Sequence, residues 1–180
     1  MSPIFLIGYM CSGKSTLGRV VAEAMGMEFI DLDYFIENRY RKTISEIFAE
    51  NGEEYFRELE RKTLHEVAEF EDTIIACGGG TPCHFDNMEF MNNAGITIYL
   101  NSSVDSLSKR LCVPISKRKR PLIAKMTDSE VTLFLAKTIA TRSLYYELSQ
   151  LTFDTSHIDN SAEVGNSTTE LTKLINSKIK

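Results

Sequence analysis

An apolar run, Ile4-Phe5-Leu6-Ile7, ends in Gly8 and leads directly into Tyr9-Met10-Cys11-Ser12-Gly13-Lys14-Ser15-Thr16. No other feature constrains the chain as tightly. The run reads as a short buried strand, and Leu17, Val20, Val21 and Met25 then recur at helical spacing until Gly26 stops the helix. A G-x-x-x-x-G-K-[ST] loop between a strand and a helix curls its backbone so that consecutive N–H groups meet phosphate oxygens, helped by the positive end of the helix. Lys14 adds a flexible point charge for the β- and γ-phosphates. Ser15 adds a hydroxyl for Mg²⁺, a cation that prefers oxygen ligands. The loop therefore predicts a nucleoside-triphosphate site formed by residues from Cys11 to Thr16.

The rest of the chain repeats the alternation. Strands are expected at 28–32, 73–77, 96–100 and 151–155. Helices are expected at about 34–41, 44–51, 53–70, 103–111, 127–149 and 161–178, with a short one after Asp86. Thr43 with Glu46, Asp86 with Glu89 and Thr127 with Glu130 have the spacing of capping boxes. Apolar strands alternating with helices imply an α/β fold with a parallel sheet covered on both faces. Ligands in such sheets bind beyond the carboxyl ends of the strands, where Gly8, Asp31, Gly78 and Asn101 all fall. A chain of 180 residues has the length of one domain, 1–180.

Charge narrows the classes of partner. Lys and Arg total 20 against 25 Asp and Glu, a net charge of −5, which argues against nucleic acid or an anionic membrane surface. The distribution is uneven: 15 acidic and 6 basic residues lie between Glu23 and Asp72, whereas 109–120 holds 6 basic residues and no acidic one. A local cationic patch on an acidic chain suits a small anionic ligand. No apolar stretch approaches the roughly 18 residues of a membrane span. Cys11, Cys77, Cys83 and Cys112 form no CxxC pair, and we expect free thiols in a cytoplasmic protein.

Several residues could build an acceptor site, each with a plainer reading beside it. Asp31 and Asp33 end the second strand: Asp31 suits the magnesium shell and Asp33 a substrate hydroxyl, although Asp33 could also cap the helix after it. Arg57 could be an exposed partner of Glu53 or Glu60. A turn needs one glycine, whereas Gly78-Gly79-Gly80 after a buried strand suggests close approach to a ligand. Arg110, Lys117, Arg118, Lys119 and Arg120 form either a solvated loop or a lid that closes on phosphates. Arg142 could be a surface helix residue, and His65, His84 and His157 lack metal-ligand spacing.

In order and spacing these motifs resemble shikimate kinase. They are the phosphate loop from Gly8, Phe29-Ile30-Asp31-Leu32-Asp33 with Ile36-Glu37, Gly52-Glu53 with Phe56-Arg57 and Glu60, Gly78-Gly79-Gly80, Arg120-Pro121-Leu122, and Arg142 with Tyr145 or Tyr146. The resemblance implies a three-layer P-loop kinase fold with a five-stranded parallel sheet in the order 2-3-1-4-5. It also implies substrate-binding helices at about 34–62, a mobile lid at about 112–125, and a monomer. It implies ATP- and Mg²⁺-dependent phosphorylation of the 3-hydroxyl of shikimate in aromatic amino-acid biosynthesis. Lys14, Asp33 and Arg120 would be catalytic. Arg57 and Arg142 would grip the substrate carboxylate, Gly78, Gly79 and Gly80 would line its site, Arg110 would pack on adenine, and Ser15 with Asp31 would hold the metal.

Two positions depart from the family pattern. Cys11 stands where a small residue, commonly glycine, is usual, so a positive φ there would strain it. The stretch His157–Ser161, expected beside adenine, lacks the proline expected there. Two alternatives remain at this point: a kinase of the same build for gluconate or a nucleotide, and a nucleotide-binding regulatory module that needs no small acceptor.

Overall fold

The computed structural model describes residues 1–114 and 123–179. Among them, β1 (Ile4–Ile7), β2 (Glu28–Asp31), β3 (Thr73–Ala76), β4 (Ile96–Asn101) and β5 (Leu151–Asp154) form one sheet. All its pairings are parallel, in the order β2-β3-β1-β4-β5. The helices are α1 (Lys14–Met25), α2 (Leu32–Tyr40), α3 (Ile44–Val67), α4 (Asn87–Ala94), α5 (Val104–Cys112), α6 (Asp128–Tyr146) and α7 (Ser161–Ile179). A 3-10 turn covers Thr81–Cys83. The expected lid and Arg120 lie largely or wholly on 115–122, outside the described residues.

The central strand explains its own composition. All four residues of β1 are buried, because both faces of the sheet are covered. Ile4 and Leu6 point toward α1 and α7, among Leu17, Val21, Leu171 and Ile175. Phe5 and Ile7 point the other way, among Leu32, Ile36, Phe56 and Leu64. A third cluster of Tyr9, Leu107, Leu111, Val131 and Leu135 packs α5 and α6 beside the phosphate loop. The core thus clamps every strand whose carboxyl end contributes to the site. No helix among the described residues is long and apolar enough to cross a membrane.

The helix starts show where local chemistry was decisive. Thr43 with Glu46 and Thr127 with Glu130 both form complete capping boxes. Asp86 does not cap α4: its backbone, at φ −98° and ψ 18°, is not extended as an N-cap requires, and its carboxylate pairs with Arg61 at 2.7 Å. α2 begins at Leu32, two residues before the expected start, because Asp31 is its N-cap and accepts the Tyr34 N–H at 3.3 Å. The two helices expected on either side of Gly52 run end to end as α3, with Gly52 at φ 84° and ψ 174° as the break.

These starts make a comparison. Thr127→Ala removes a working cap and is expected to cost about 1 kcal/mol, or roughly 3 °C in melting temperature for a chain of this size. Asp86→Ala removes only an exposed ion pair and is expected to shift melting by less than half of that. Equal losses in thermal unfolding would show that Asp86 caps α4 after all.

Candidate active site

The phosphate loop turns from β1 into α1 through three residues with positive φ: Gly8 at 140°, Cys11 at 63° and Gly13 at 97°. A side chain at Gly8 would also run into the main chain of β4, its Cβ 2.7 Å from Leu100 O. Cys11 is therefore a residue with a Cβ in the left-handed region, at a cost of roughly 1 kcal/mol. No side chain caps the N-terminus of α1, which leaves its first N–H groups for an anion. Lys14 Nζ donates to Gly8 O and Tyr9 O, both at 2.8 Å, so the ammonium is held across the mouth of the loop. Burial lowers it to about 8, against the pull of Asp33. The Ser12 hydroxyl is buried within the loop and has no hydrogen-bond partner among the described residues.

Ser15 and Asp31 come together as a pair of oxygen donors, Ser15 Oγ donating to Asp31 Oδ2 at 2.6 Å. Among the described residues no cluster of three His, Cys, Asp or Glu could enclose a metal. One hydroxyl and one carboxylate fit Mg²⁺, which keeps water and phosphate oxygens as its other ligands. Beyond the loop a cavity of about 510 Å³ opens between Cys11, Gly13, Thr16, Arg110, Asp159 and Ser161. Arg110 lines it but is also engaged: it donates to Cys11 O at 3.1 Å and Thr155 O at 2.7 Å, and pairs with Asp159 at 3.6 Å. It ties the phosphate loop to the end of β5.

On the acceptor side, three glycines receive three charged side chains. A Cβ on Gly78 would lie 2.8 Å from Asp33 Oδ1, and one on Gly80 would lie 2.8 Å from both terminal nitrogens of Arg57. One on Gly79 would lie 3.3 Å from Arg142 Nη1 and 3.6 Å from Gly8 O. β2 and β3 align Asp31 with Ala76, so the first turn of α2 brings Asp33 over Gly78. Arg57 comes from α3, and Arg142 comes from α6 and stands over the Tyr9 ring, 5.4 Å from its centre. Lys117, Arg118, Lys119 and Arg120 lie outside the described residues; the other candidate site residues gather at the carboxyl ends of β1, β2 and β3, with Arg110 beside the cavity.

The charges divide by partner. Arg57 is held by Glu60 at 2.8 Å and Glu53 at 3.1 Å. Among the described residues Arg142 has no ion pair. Glu60 is only 1% exposed. Besides Arg57 it accepts the Thr81 hydroxyl at 2.5 Å, so its charge is compensated. Asp33 is not so well compensated. Burial first, then Glu60 and Asp31, push its carboxyl up to about 6, with Lys14 opposing. Of the two strand-end carboxylates, Asp31 takes the helix cap and the Ser15 hydroxyl, and Asp33 meets Gly78.

The sequence offers Glu60 as a partner of an exposed arginine and as part of the resemblance motif, with no sign of its burial, and it assigns no role to Thr81 or Tyr9. Its signal was the i, i+3 spacing from Arg57; nothing local marks its burial. Tyr145 and Tyr146 were equivalent in the sequence. In the structure Tyr145 is 38% exposed and Tyr146 fully buried.

The chain is similar to known proteins over nearly its whole length. Residues 10–173 match the family model described as shikimate kinase. A shikimate kinase of Parabacteroides distasonis is 47% identical over 97% of this chain and 100% of its own. The crystal structure of shikimate kinase from Bacteroides thetaiotaomicron superposes with a TM-score of 0.93 at 43% identity, covering 97% of this chain and 98% of that one. Shikimate kinase from Acinetobacter baumannii, in complex with shikimate, gives 0.80 at 30% identity over 100% of this chain and 96% of that one.

Two stability measurements test the strain and the charge. Cys11→Gly relieves the left-handed cost but adds unfolded-chain entropy, so a gain of about 0.5 kcal/mol is expected; a loss would contradict the strain. Asp33→Asn is expected to raise the melting temperature at pH 8. There the carboxyl is ionised in both states and the folded state bears the cost of burying it. The advantage over the parent should shrink as pH falls through 6, where the folded carboxyl takes up a proton while the unfolded one stays ionised until about 4. A pH-independent difference would count against the elevated Asp33.

Proposed function

This chain belongs to the shikimate kinase family, and on that premise we propose that it transfers the γ-phosphate of ATP to the 3-hydroxyl of shikimate, giving shikimate 3-phosphate and ADP. Membership carries phosphorylation of shikimate in aromatic biosynthesis. The donor, the product and the residue roles are our inference. The observation that carries them is the glycine platform, where Asp33, Arg142 and Arg57 meet Gly78, Gly79 and Gly80 in turn beside the phosphate loop. Its partners in this reading are two small molecules, ATP and shikimate, and it works as a cytoplasmic monomer; four free cysteines fit a reducing compartment.

Two guanidiniums, at Gly79 and Gly80, match a carboxylate, which accepts paired N–H donors. Arg57 is aimed by Glu60 and Glu53, and Arg142 brings charge not already spent on a carboxylate among the described residues. Asp33 lies at Gly78, near Lys14, where it accepts a proton from the attacking hydroxyl. As that oxygen bonds to the γ-phosphorus, the bond to the β-phosphate oxygen breaks and ADP leaves with the electron pair. Lys14 and the α1 N-terminus stabilise the charge on the phosphates throughout. Ser15 and Asp31 would hold Mg²⁺, which supplies further charge neutralisation when bound. The adenosine would occupy the cavity beside Arg110.

The experiment is ADP formation from Mg-ATP with shikimate, gluconate or nucleoside monophosphates added separately. Stimulation by shikimate alone is expected. Stimulation by gluconate or a nucleotide would give the site another acceptor, and acceptor-independent ADP release would favour a regulatory module. Arg142→Ala is the cleaner arginine test, since Arg57→Ala also strands the buried Glu60. It should raise the KM for shikimate about 100-fold with ATP spared, as expected for one lost charge-assisted pair. Asp33→Asn should lower kcat by roughly 10²–10⁴. In the parent enzyme kcat/KM should fall below about pH 6 as Asp33 becomes protonated.

A further inference from the structure

α6 brings a second side chain to the glycine platform that the reaction above does not use. Tyr146, one turn after Arg142, donates its hydroxyl to Gly79 O at 2.5 Å. The residue is 0% exposed. Its ring packs on Tyr99, with centres 5.1 Å apart, inside the core cluster that holds Phe5, Ile7 and Leu32. Phenylalanine would fill that space equally well, so packing does not account for the oxygen. Burial pushes the phenol far above its ordinary range, against the nearby Arg142, and the hydroxyl therefore stays a donor.

What it holds matters more than the bond alone. Three successive glycines have little backbone preference of their own, so their conformation is set by what their carbonyls meet. Gly78 O accepts the Thr81 N–H at 3.1 Å and Gly80 O accepts the Cys83 N–H at 2.9 Å, both within the local turn. Among the described residues, Gly79 O is the one of the three that bonds to another element, through Tyr146. Gly79 is also the glycine wedged between the phosphate loop and Arg142: a Cβ there would lie 3.6 Å from Gly8 O, 3.7 Å from Met10 N and 3.3 Å from Arg142 Nη1.

We propose that Tyr146 is a positioning residue for the acceptor, its hydroxyl locking the Gly79 peptide to α6 and so setting the spacing between Arg142, Gly79 and the phosphate loop. The inference rests on the shikimate reading of the site. Tyr146 touches no reacting atom. It acts through Gly79 and Arg142, whereas Tyr145, exposed on the same helix, has no such role.

The test compares Tyr146→Phe, Tyr145→Phe and Arg142→Lys with the parent chain, in steady-state kinetics and thermal unfolding. Tyr146→Phe keeps the ring and its packing. It is expected to raise the KM for shikimate about tenfold, with the KM for ATP within twofold of the parent and melting shifted by a few degrees at most. Tyr145→Phe should match the parent. In the Arg142→Lys background the same change should raise the shikimate KM less than threefold, because both side chains act on one geometry. A shikimate KM within twofold of the parent, an equal rise in both KM values, or full additivity with Arg142→Lys would each overturn the proposal. Absence of shikimate-dependent turnover in the parent chain would overturn the reading beneath it as well. Parent turnover with an unaffected Tyr146→Phe would overturn the positioning role alone.

Discussion

Three consecutive peptides without side chains, at the carboxyl end of β3, are the constraint on which the rest of the site depends. Each of Gly78, Gly79 and Gly80 is approached by a different charged group, at distances that leave no room for a methyl at Gly78 or Gly80 and little at Gly79. The three groups come from α2, α3 and α6, elements far apart in the chain. They converge because β3 lies between β1 and β2 in the sheet, so its end adjoins both the phosphate loop and the Asp31–Asp33 turn. Strand order, more than any single contact, brings the phosphate loop and the three charged groups together at the carboxyl ends of the strands.

Bringing so many charges together is costly unless most are compensated. Glu60 is compensated by Arg57 and Thr81, and it holds the guanidinium over Gly80 in return. Asp31 is engaged by Ser15 and by the α2 N-terminus. Asp33 is left with Lys14 as its opposing charge and a carboxyl at about 6. A carboxylate of that kind is a better base than an ordinary aspartate and is still ionised at neutral pH. The same imbalance that would suit Asp33 to proton transfer makes it a local liability for stability.

The nucleotide side follows a different logic. There the side chains are spent on fixing the backbone of the phosphate loop. Lys14 bonds to two carbonyls of its own loop, and Arg110 ties Cys11 O to the end of β5. Cys11 at φ 63° shows that this loop shape is imposed by its surroundings, since a cysteine does not favour it.

The sequence by itself determined the alternation of strands and helices, the phosphate loop and two of the three capping boxes, because these depend on residues within a few positions of one another. Through the resemblance it also carried the strand order, and it selected Asp33, Arg57, the glycines and Arg142 as candidates. Only the tertiary structure decided which of two plain readings held. Asp31 rather than Asp33 became the helix cap, Asp86 paired with Arg61 instead of capping α4, and Tyr146 rather than Tyr145 turned inward. It also revealed Glu60 as a buried hub. These choices rest on what lies across the fold: the burial of a side chain and the partner that meets it depend on packing between distant segments, which local spacing does not encode.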